Sequence, residues 1–529
     1  VTEESIKPAW QVPVTAIVTI VAIMLVAGAL TWQALTVSAA NSEGTGASKP
    51  GPGANTATVS EINAEQPQAK ALEPMPQIDN VVFVLADDLD WETFNQVPRL
   101  QALRKQGMTF ASAVVTDSLC CPSRVSIFRS QYVHNHRVIS NVVESGGGWP
   151  TFYALGEEQD CLPIWLKKAG VRTGFLGKYL NDYPDGAPSK TYVPPGWDTW
   201  VVPVTQAAAY RGYGYTLNRN GTLKTYGDEP KDFLADVLTR DAVQFITSGK
   251  SPFYLQLSLM NPHMPAPVAP RHLKADANVT VPRNPTYNAR GLNEPDWRSD
   301  KLTISQNRLD RYDALWRKRV RSSESVADAI EAVTKALSAT GQLERTLIMV
   351  GSDNGFHAVS RRLPPGKRTP YREDTVVPLL FLGPGAAAGS TVTAMTSTID
   401  LGPTIGEIFK APVPEWVDGR SLVPFLRGST AADWRTGVLT ESLGEPSVGD
   451  PDFEAFKPPT FEALRTERYL YVEYVDGTRE LFDHATDPYE MNNIIGSADP
   501  ALLSRLSAQL NALVACAGPS CRVADSMPN

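Results

Sequence analysis

Asn80-Val81-Val82-Phe83-Val84-Leu85-Ala86 is an unbroken apolar run, and Asp87-Asp88 follows it at once. A run of this kind with no polar alternation is the pattern of a strand buried on both faces, as in a parallel sheet covered by helices. Such sheets place their ligands at the carboxyl ends of the strands. Two adjacent carboxylates there repel one another unless a cation lies between them, and a hard divalent ion suits oxygen donors. The same pair also reads as an ordinary turn or helix cap. The run therefore predicts an α/β fold and leaves the purpose of the two acids open.

Further strands of the same type recur along the chain. Met108 to Val115 leads into Leu119-Cys120-Cys121-Pro122-Ser123-Arg124. Pro is favoured at the first position of a helix, so Cys120 is placed where a strand or loop enters a helix N-terminus, near free N–H groups and Arg124. That setting suits a nucleophile or an anion; a buried Cys pair beside a helix start is the plain alternative. Val171 to Leu176 ends in Gly177-Lys178, and Phe253 to Leu259 is followed by Met260-Asn261-Pro262-His263-Met264-Pro265. A His between two prolines is held in a loop. Thr346 to Val350 ends in Gly351-Ser352-Asp353-Asn354-Gly355-Phe356-His357, an acidic and amide pair in the same position relative to its strand as Asp87-Asp88.

Between these strands the pattern predicts short helices over Pro98 to Gly107 and Cys161 to Gly170, and a helix over Ser325 to Ala339 with Val326, Ile330, Val333 and Leu337 on one face. Tyr183 to Asp232 is rich in Tyr, Gly and Pro and reads as insertions around the mouth of a site. Arg361, Arg362 and Arg368 crowd one segment as solvated loop charges or anion contacts. From about Leu401 the pattern changes to alternating segments, with Asp476-Gly477 as a hairpin signal and a closing helix over Ala501 to Val514.

The 529 residues and their 42% apolar content suffice for one large domain and a smaller one. A net charge of −8 argues against a general polyanion binder, so an anionic substrate needs a local basic pocket. No aromatic-basic patch, Gly-rich nucleotide loop or internal repeat is present, and no nucleic-acid partner is expected. Five Cys do not make a disulfide scaffold, but Cys516 and Cys521 flank a short loop and are expected to pair, as suits an oxidising compartment. Val14 to Thr31 carries no charge over 18 residues, the lower edge of a membrane span. Val37-Ser38-Ala39 has the form of a small-residue cleavage site. Residues 1–40 are therefore expected to be a signal peptide or a membrane anchor, and residues 41–77, poor in large apolar groups, a flexible tether. The protein is expected outside the cytoplasm, secreted or tethered to the membrane.

Cys120-Cys121-Pro122-Ser123-Arg124 fits C-x-P-S-R, and the chain resembles the type I, formylglycine-dependent sulfatases. Asp87-Asp88, Gly177-Lys178, Pro262-His263-Met264-Pro265, Ser352-Asp353-Asn354-Gly355 and Gly366-Lys367 to Tyr371 match that family's other motifs in order. Tyr132-Val133-His134-Asn135-His136 and the form Gly177-Lys178-Tyr179-Leu180-Asn181 resemble its N-acetylglucosamine-6-sulfatase and heparan endosulfatase branch.

The resemblance implies an alkaline-phosphatase-like sandwich. A large mixed sheet lies between helices (catalytic domain, 78–400), with a small C-terminal subdomain bearing an antiparallel sheet (401–529). It implies that a formylglycine-generating enzyme converts Cys120 to Cα-formylglycine, whose hydrate attacks the sulfur of a sulfate monoester. Ca²⁺, or Mg²⁺, would be held by Asp87, Asp88, Asp353, Asn354 and residue 120. Asp353 would be the base and His263 the proton donor to the leaving alcohol. Lys178 and Lys367 would hold the sulfate, Arg124 would support residue 120, and His136 or Asn181 would stand in for a His that the family places after Gly-Lys. The implied substrate is a sulfated small molecule or glycan, glucosamine 6-sulfate or an aryl sulfate among them.

One departure stands out: the family's Leu-Thr-Gly after the signature is Phe128-Arg129-Ser130 here, in the segment by which the modifying enzyme recognises its target. It leaves room for a non-catalytic binder of sulfated glycans with Cys120 unmodified. A phosphate or phosphonate monoester hydrolase on the same fold is the other alternative.

Overall fold

The computed structural model describes residues 72–299, 302–429, 434–445 and 458–528. The expected leader or anchor and all but the last few residues of the expected tether lie outside the described residues. Among the described residues no helix is long and apolar enough to cross a membrane.

In chain order the strands are β1 (Asn80–Asp87), β2 (Met108–Phe110), β3 (Ala113–Val114), β4 (Arg172–Gly177), β5 (Thr199–Pro203), β6 (Thr216–Arg219), β7 (Thr222–Thr225) and β8 (Phe253–Pro262). They continue with β9 (Thr346–Ser352), β10 (Leu379–Leu382), β11 (Thr391–Val392), β12 (Thr396–Ser397), β13 (Gly437–Ser442), β14 (Phe461–Thr466), β15 (Tyr469–Tyr474) and β16 (Arg479–Asp483). The helices of eight residues or more are α1 (Cys120–Arg129), α2 (Leu234–Ser248), α3 (Gln306–Ala339), α4 (Leu401–Ile408) and α5 (Pro500–Val514).

Ten strands form one sheet in the order β11-β2-β10-β9-β1-β8-β4-β5-β6-β7. The centre, β9-β1-β8-β4-β5, is parallel, and antiparallel strands lie on both sides of it. This mixed sheet between helices is the expected alkaline-phosphatase-like sandwich. The period of two in β1 divides its side chains between two cores. Val82, Val84 and Ala86 face the layer containing α2 and α3, while Val81, Phe83 and Leu85 face the layer containing α1 and α4. Every residue of β1 is buried, which is why the run carries no polar alternation.

The second sheet, β13-β14-β15-β16, is antiparallel throughout. Leu439, Leu464, Tyr471 and Leu481 pack on Leu506, Leu510 and Leu513 of α5. The other face, with Phe461, Val472 and Phe482, packs on Tyr371 of the large domain. β15 and β16 are joined across Asp476-Gly477, where Gly477 takes φ 85°, as the hairpin signal predicts. Cys516 and Cys521 are disulfide-bonded, with Cα atoms 4.8 Å apart.

Tyr183 to Asp232, expected as insertions around the mouth of a site, contains β5, β6 and β7, which extend the sheet edge. These strands are short and half-exposed in part, so they show little apolar periodicity. The helix expected from Ser325 begins at Gln306. Its first half is dense in Arg, Lys and Asp, which hides the apolar face; Trp316 and Val320 still turn inward, and buried Arg319 donates to the carbonyl of Asp88 and to Asp90 Oδ2.

Candidate active site

Four neighbouring parallel strands end on the same edge of the sheet, and each delivers one part of the site. β1 brings Asp87 and Asp88, β9 brings Asp353 and Asn354, β4 brings Lys178, and β8 brings His263. Asp88 leaves the strand at φ 64°, a left-handed conformation that Asp tolerates better than most residues. Gly177 takes φ 108°, and a Cβ there would lie 1.9 Å from the carbonyl oxygen of Ser258. Only glycine allows β4 to come this close to β8, and that approach sets Lys178 beside Asp87.

Leu119 is extended and α1 starts at Cys120, as the sequence predicts. Pro122 stands at the third helical position rather than the first, still within the turn whose N–H groups have no helical partner. Cys120 Sγ lies 3.4 Å from Asp87 Oδ1 and 3.8 Å from Asp88 Oδ1. Lys367 Nζ is 2.7 Å from Cys120 Sγ and 2.7 Å from Asp88 Oδ1. Lys178 Nζ is 2.8 Å from Asp87 Oδ2.

Arg124 Nε donates to Asp353 Oδ2 at 2.8 Å, and its Nη1 donates to the Lys178 carbonyl and to Ser258 Oγ. Ser123 Oγ donates to the Asp353 carbonyl. His263 Nδ1 is 2.6 Å from its neighbour's carbonyl, that of Met264, and its Nε2 is 3.7 Å from Asp88 Oδ2. A carbonyl accepts only, so Nδ1 carries a proton and Nε2 faces the acids.

Three carboxylates (Asp87, Asp88, Asp353) thus meet three cations (Arg124, Lys178, Lys367), all buried. Burial pushes the Cys120 thiol well above its ordinary pKa, with Lys178 and Lys367 pulling the other way. Burial also works against the charge of Lys178, but the Asp87 carboxylate outweighs it and holds its pKa well above the usual value. Asp353 stays below the ordinary carboxylate value despite burial, because Arg124 and Lys178 face it.

Four of these side chains form a group that could hold a metal ion. Ligand atoms of Asp87, Asp88, Cys120 and His263 lie within 4.8 Å of one another. Asn354 donates Nδ2 to Asp88 Oδ1 at 2.7 Å, while its Oδ1 is buried and accepts no hydrogen bond. Asp353 stands beside this group, its Oδ1 accepting from the Asp88 and Asn354 amides.

His136 is not among the gathered groups. Its Nδ1 accepts from the Val138 amide and its Nε2 is 3.0 Å from Ser126 Oγ, so both ring nitrogens are committed to the far side of α1. Burial lowers its pKa to about 3 and keeps it neutral. Asn181 is buried three residues beyond Lys178, and its side-chain amide hydrogen-bonds to no described residue. Arg361 and Arg368 are buried rather than solvated: Arg361 pairs with Glu373 at 2.9 Å, and Arg368 donates to the Gly444 carbonyl.

The Phe128-Arg129-Ser130 departure has a structural account. Phe128 packs among Phe175, Tyr179 and Trp197. Arg129 pairs with Glu157 and lies over the Trp416 ring. Ser130 caps α1 at φ 56°.

Sequence reasoning missed Tyr210. Its ring stacks on His263 at 4.4 Å between centroids, and Lys178 Nζ lies 5.3 Å from its centre. A lone Tyr in a Tyr-rich insertion gave no signal.

The family model described as Sulfatase matches residues 79–411, the span that carries Cys120, His263 and the gathered acids and cations. The chain belongs to the sulfatase family. It is accordingly a sulfuric ester hydrolase. A second model, N-sulphoglucosamine sulphohydrolase, C-terminal, matches residues 366–515. The N-acetylglucosamine-6-sulfatase of Capra hircus is 36% identical to this sulfatase over 478 residues, 84% of each chain. That of Homo sapiens is 36% identical over 478 residues, 84% of this chain and 86% of the relative. A solved structure described as a complex with its substrate D-glucosamine-2-N,6-O-disulfate matches with a TM-score of 0.68 and 21% identity, over 83% of this chain and 97% of that one. At that identity it speaks for the fold.

Proposed function

We propose that this sulfatase removes sulfate from sulfated sugars of the glucosamine 6-sulfate type, with residue 120 matured to formylglycine and a divalent cation beside it. The observation that carries the reading is Cys120 at the first position of α1, touching Lys367 and the two acids of β1. The 36% identity to N-acetylglucosamine-6-sulfatases along 84% of the chain supports the choice of sugar. The unmodified thiol, held protonated by burial, is a poor nucleophile, which favours a modified residue over thiol chemistry.

Ca²⁺ or Mg²⁺ would be held by Asp87, Asp88, Asp353 and Asn354 with residue 120, and when bound would draw charge from the sulfate oxygens. Formylglycine would supply, as its hydrate, one hydroxyl to attack sulfur and a second to release sulfate. The rest falls to the chain's own side chains. Lys178 and Lys367 set positive charge on either side of residue 120 and hold the sulfate. Arg124 fixes Asp353 as a carboxylate able to take a proton. His263 keeps Nδ1–H on the Met264 carbonyl, so the proton it gives to the departing alcohol comes from Nε2 of the imidazolium.

The Cys516–Cys521 disulfide suits an extracytoplasmic protein. The proposed organisation is a leader or anchor and tether ahead of a catalytic domain over 78–400 and a subdomain over 401–529.

Mass spectrometry of the peptide containing residue 120, from the native host, tests the modification. Turnover of N-acetylglucosamine 6-sulfate, an aryl sulfate and an aryl phosphate tests the substrate. An aldehyde at 120 with preference for the sulfates is expected. An intact thiol in active native protein, or preference for the phosphate, overturns the reading.

A further inference from the structure

The His263 imidazole is held by two neighbours of different kinds. Its Nδ1 donates to the Met264 carbonyl at 2.6 Å. That bond sets where the ring points within its own plane. A bond at one ring atom still lets the plane tilt, because the torsion that carries an imidazole is broad. Tyr210 covers the face of the ring. The two rings stack at 4.4 Å between centroids and 28° between planes, a contact that a tilt of the imidazole would break. Bond and stack together leave Nε2 facing the acids of β1, 3.7 Å from Asp88 Oδ2.

Tyr210 is itself anchored. It is buried, in the short helix Gln206–Arg211. Gln206 Nε2 donates to the Leu180 carbonyl, two residues beyond Lys178, at 3.0 Å. Gly212 ends the helix at φ 82°, and a Cβ there would lie 2.9 Å from the Phe233 ring and 3.2 Å from Pro267. The helix is therefore tied to the segment after Lys178 and pressed against the loop after His263. The Tyr210 ring bridges the two, with Lys178 Nζ 5.3 Å from its centre. As a member of the core that also holds Ala209, Tyr215 and Phe233, this position needs only apolar bulk. The flat face is what His263 uses.

We infer that Tyr210 is a positioning residue for the proton donor: its ring holds the His263 imidazole in the orientation from which Nε2 reaches the leaving oxygen. In that step the S–O bond of the ester breaks, and the departing oxygen takes the Nε2 proton. The inference rests on the proton-donor role proposed above for His263 and deepens it, by giving a task to an insertion of the chain.

The test uses the full chain matured at residue 120 and two esters: N-acetylglucosamine 6-sulfate, whose alcohol needs a proton to leave, and a nitrophenyl sulfate, whose phenolate does not. In Tyr210→Leu, kcat for the sugar sulfate is expected to fall about 10- to 100-fold, the cost of a misplaced acid, while kcat for the nitrophenyl sulfate changes less than about threefold. Tyr210→Phe keeps the flat face and is expected to stay within about threefold of the unaltered enzyme on both esters. Because Tyr210 acts through His263, Tyr210→Leu costs nothing further in the His263→Ala chain.

Three results overturn the inference and leave the proton-donor role standing: equal losses on both esters, a loss that recurs in full in the His263→Ala chain, or an unchanged kcat for the sugar sulfate in Tyr210→Leu. If His263→Ala itself slows both esters equally, the proton-donor role falls and takes the inference with it. If the sugar sulfate is no substrate, the choice of sugar falls by itself, and phenyl sulfate, with a poorer leaving group than the nitrophenyl ester, replaces it in the same comparison. If Tyr210→Leu does not fold, Tyr210→Met, which fills the space without a flat face, is read against the same outcomes.

Discussion

Two buried clusters of opposite charge lie in this molecule, and their difference lies in what they leave undone. Around Arg435 every guanidinium nitrogen is engaged. Its Nη1 and Nη2 each donate to Asp400 at 2.7 Å and its Nε donates to Asp525 at 3.0 Å, while Arg420 pairs with Asp525 from the other side. Around Cys120 two of the three cations, Lys178 and Lys367, are lysines, compact charges on flexible stems, beside Arg124. One carbonyl oxygen, Asn354 Oδ1, is left without a donor. A closed cluster fixes position. An open one, held by residues that can exchange partners, is built to receive something. Buried charge alone therefore does not mark an active site; unfinished coordination does.

The sharpest way to break this contrast is Cys120→Ala. Turnover of an aryl sulfate is expected to fall at least ~10⁴-fold, while the urea midpoint barely changes, since the small thiol sits in an open cluster. The converse substitution, Arg435→Met, leaves Asp400 buried without its cation and Asp525 with Arg420 alone. A loss of about 3–5 kcal/mol in unfolding free energy is expected, with normal turnover per folded molecule. Similar effects from the two variants on both readouts would abolish the distinction.

His263→Ala is expected to lower kcat roughly 10²- to 10⁴-fold for a sugar sulfate, whose leaving alcohol needs a proton. The loss should be much smaller for a nitrophenyl sulfate, whose phenolate leaves unaided; equal losses would remove the proton-donor role.

A pH effect separates the two histidines of the Tyr132–His136 segment. Burial works against the charge of His134, but Glu441, 2.9 Å from its Nδ1, outweighs this and raises its pKa to about 9. Since the folded value exceeds the ordinary value of 6.5, the stabilisation is complete below about pH 6.5. It is lost as pH rises through 9, on the order of 2 kcal/mol in all. Urea melts from pH 6 to 10 should show this loss in the native chain and not in His134→Gln. The smallest effect is expected at Ser130, which caps α1 in a left-handed conformation at φ 56°. Ser130→Gly relieves that strain and should raise stability by about 0.5–1 kcal/mol, read as a higher melting temperature with unchanged kcat.

Most of the open cluster was legible in the sequence, because its groups follow directly on apolar runs. Asp87, Lys178, His263 and Asp353 each stand at or just past the end of a strand, and parallel strands bring such ends together whatever lies between. Cys120 was legible from its helix start. His136 misled because it lies near Cys120 in sequence yet points away from it, a matter of helical phase in a four-residue helix, Val133–His136.

The closed cluster was invisible. Asp400, Arg435 and Asp525 have no motif, and their partners lie 35 and 90 residues apart. Tyr210 was hidden for a related reason. The insertion that bears it is organised by edge strands too short and too exposed to declare a period.

The disulfide loop carries one more consequence. The Cys516 carbonyl accepts from His134 Nε2 and from Asn135 Nδ2, the first across 382 residues of chain, and the Gly518 amide donates to Asp418, which also accepts from Tyr132. The segment that follows α1 is therefore backed by residues that emerge from the ribosome hundreds of residues later. While the chain is being made, the residues of α1 leave the ribosome before those that back the segment after it, so the completed fold has an order in time as well as in sequence.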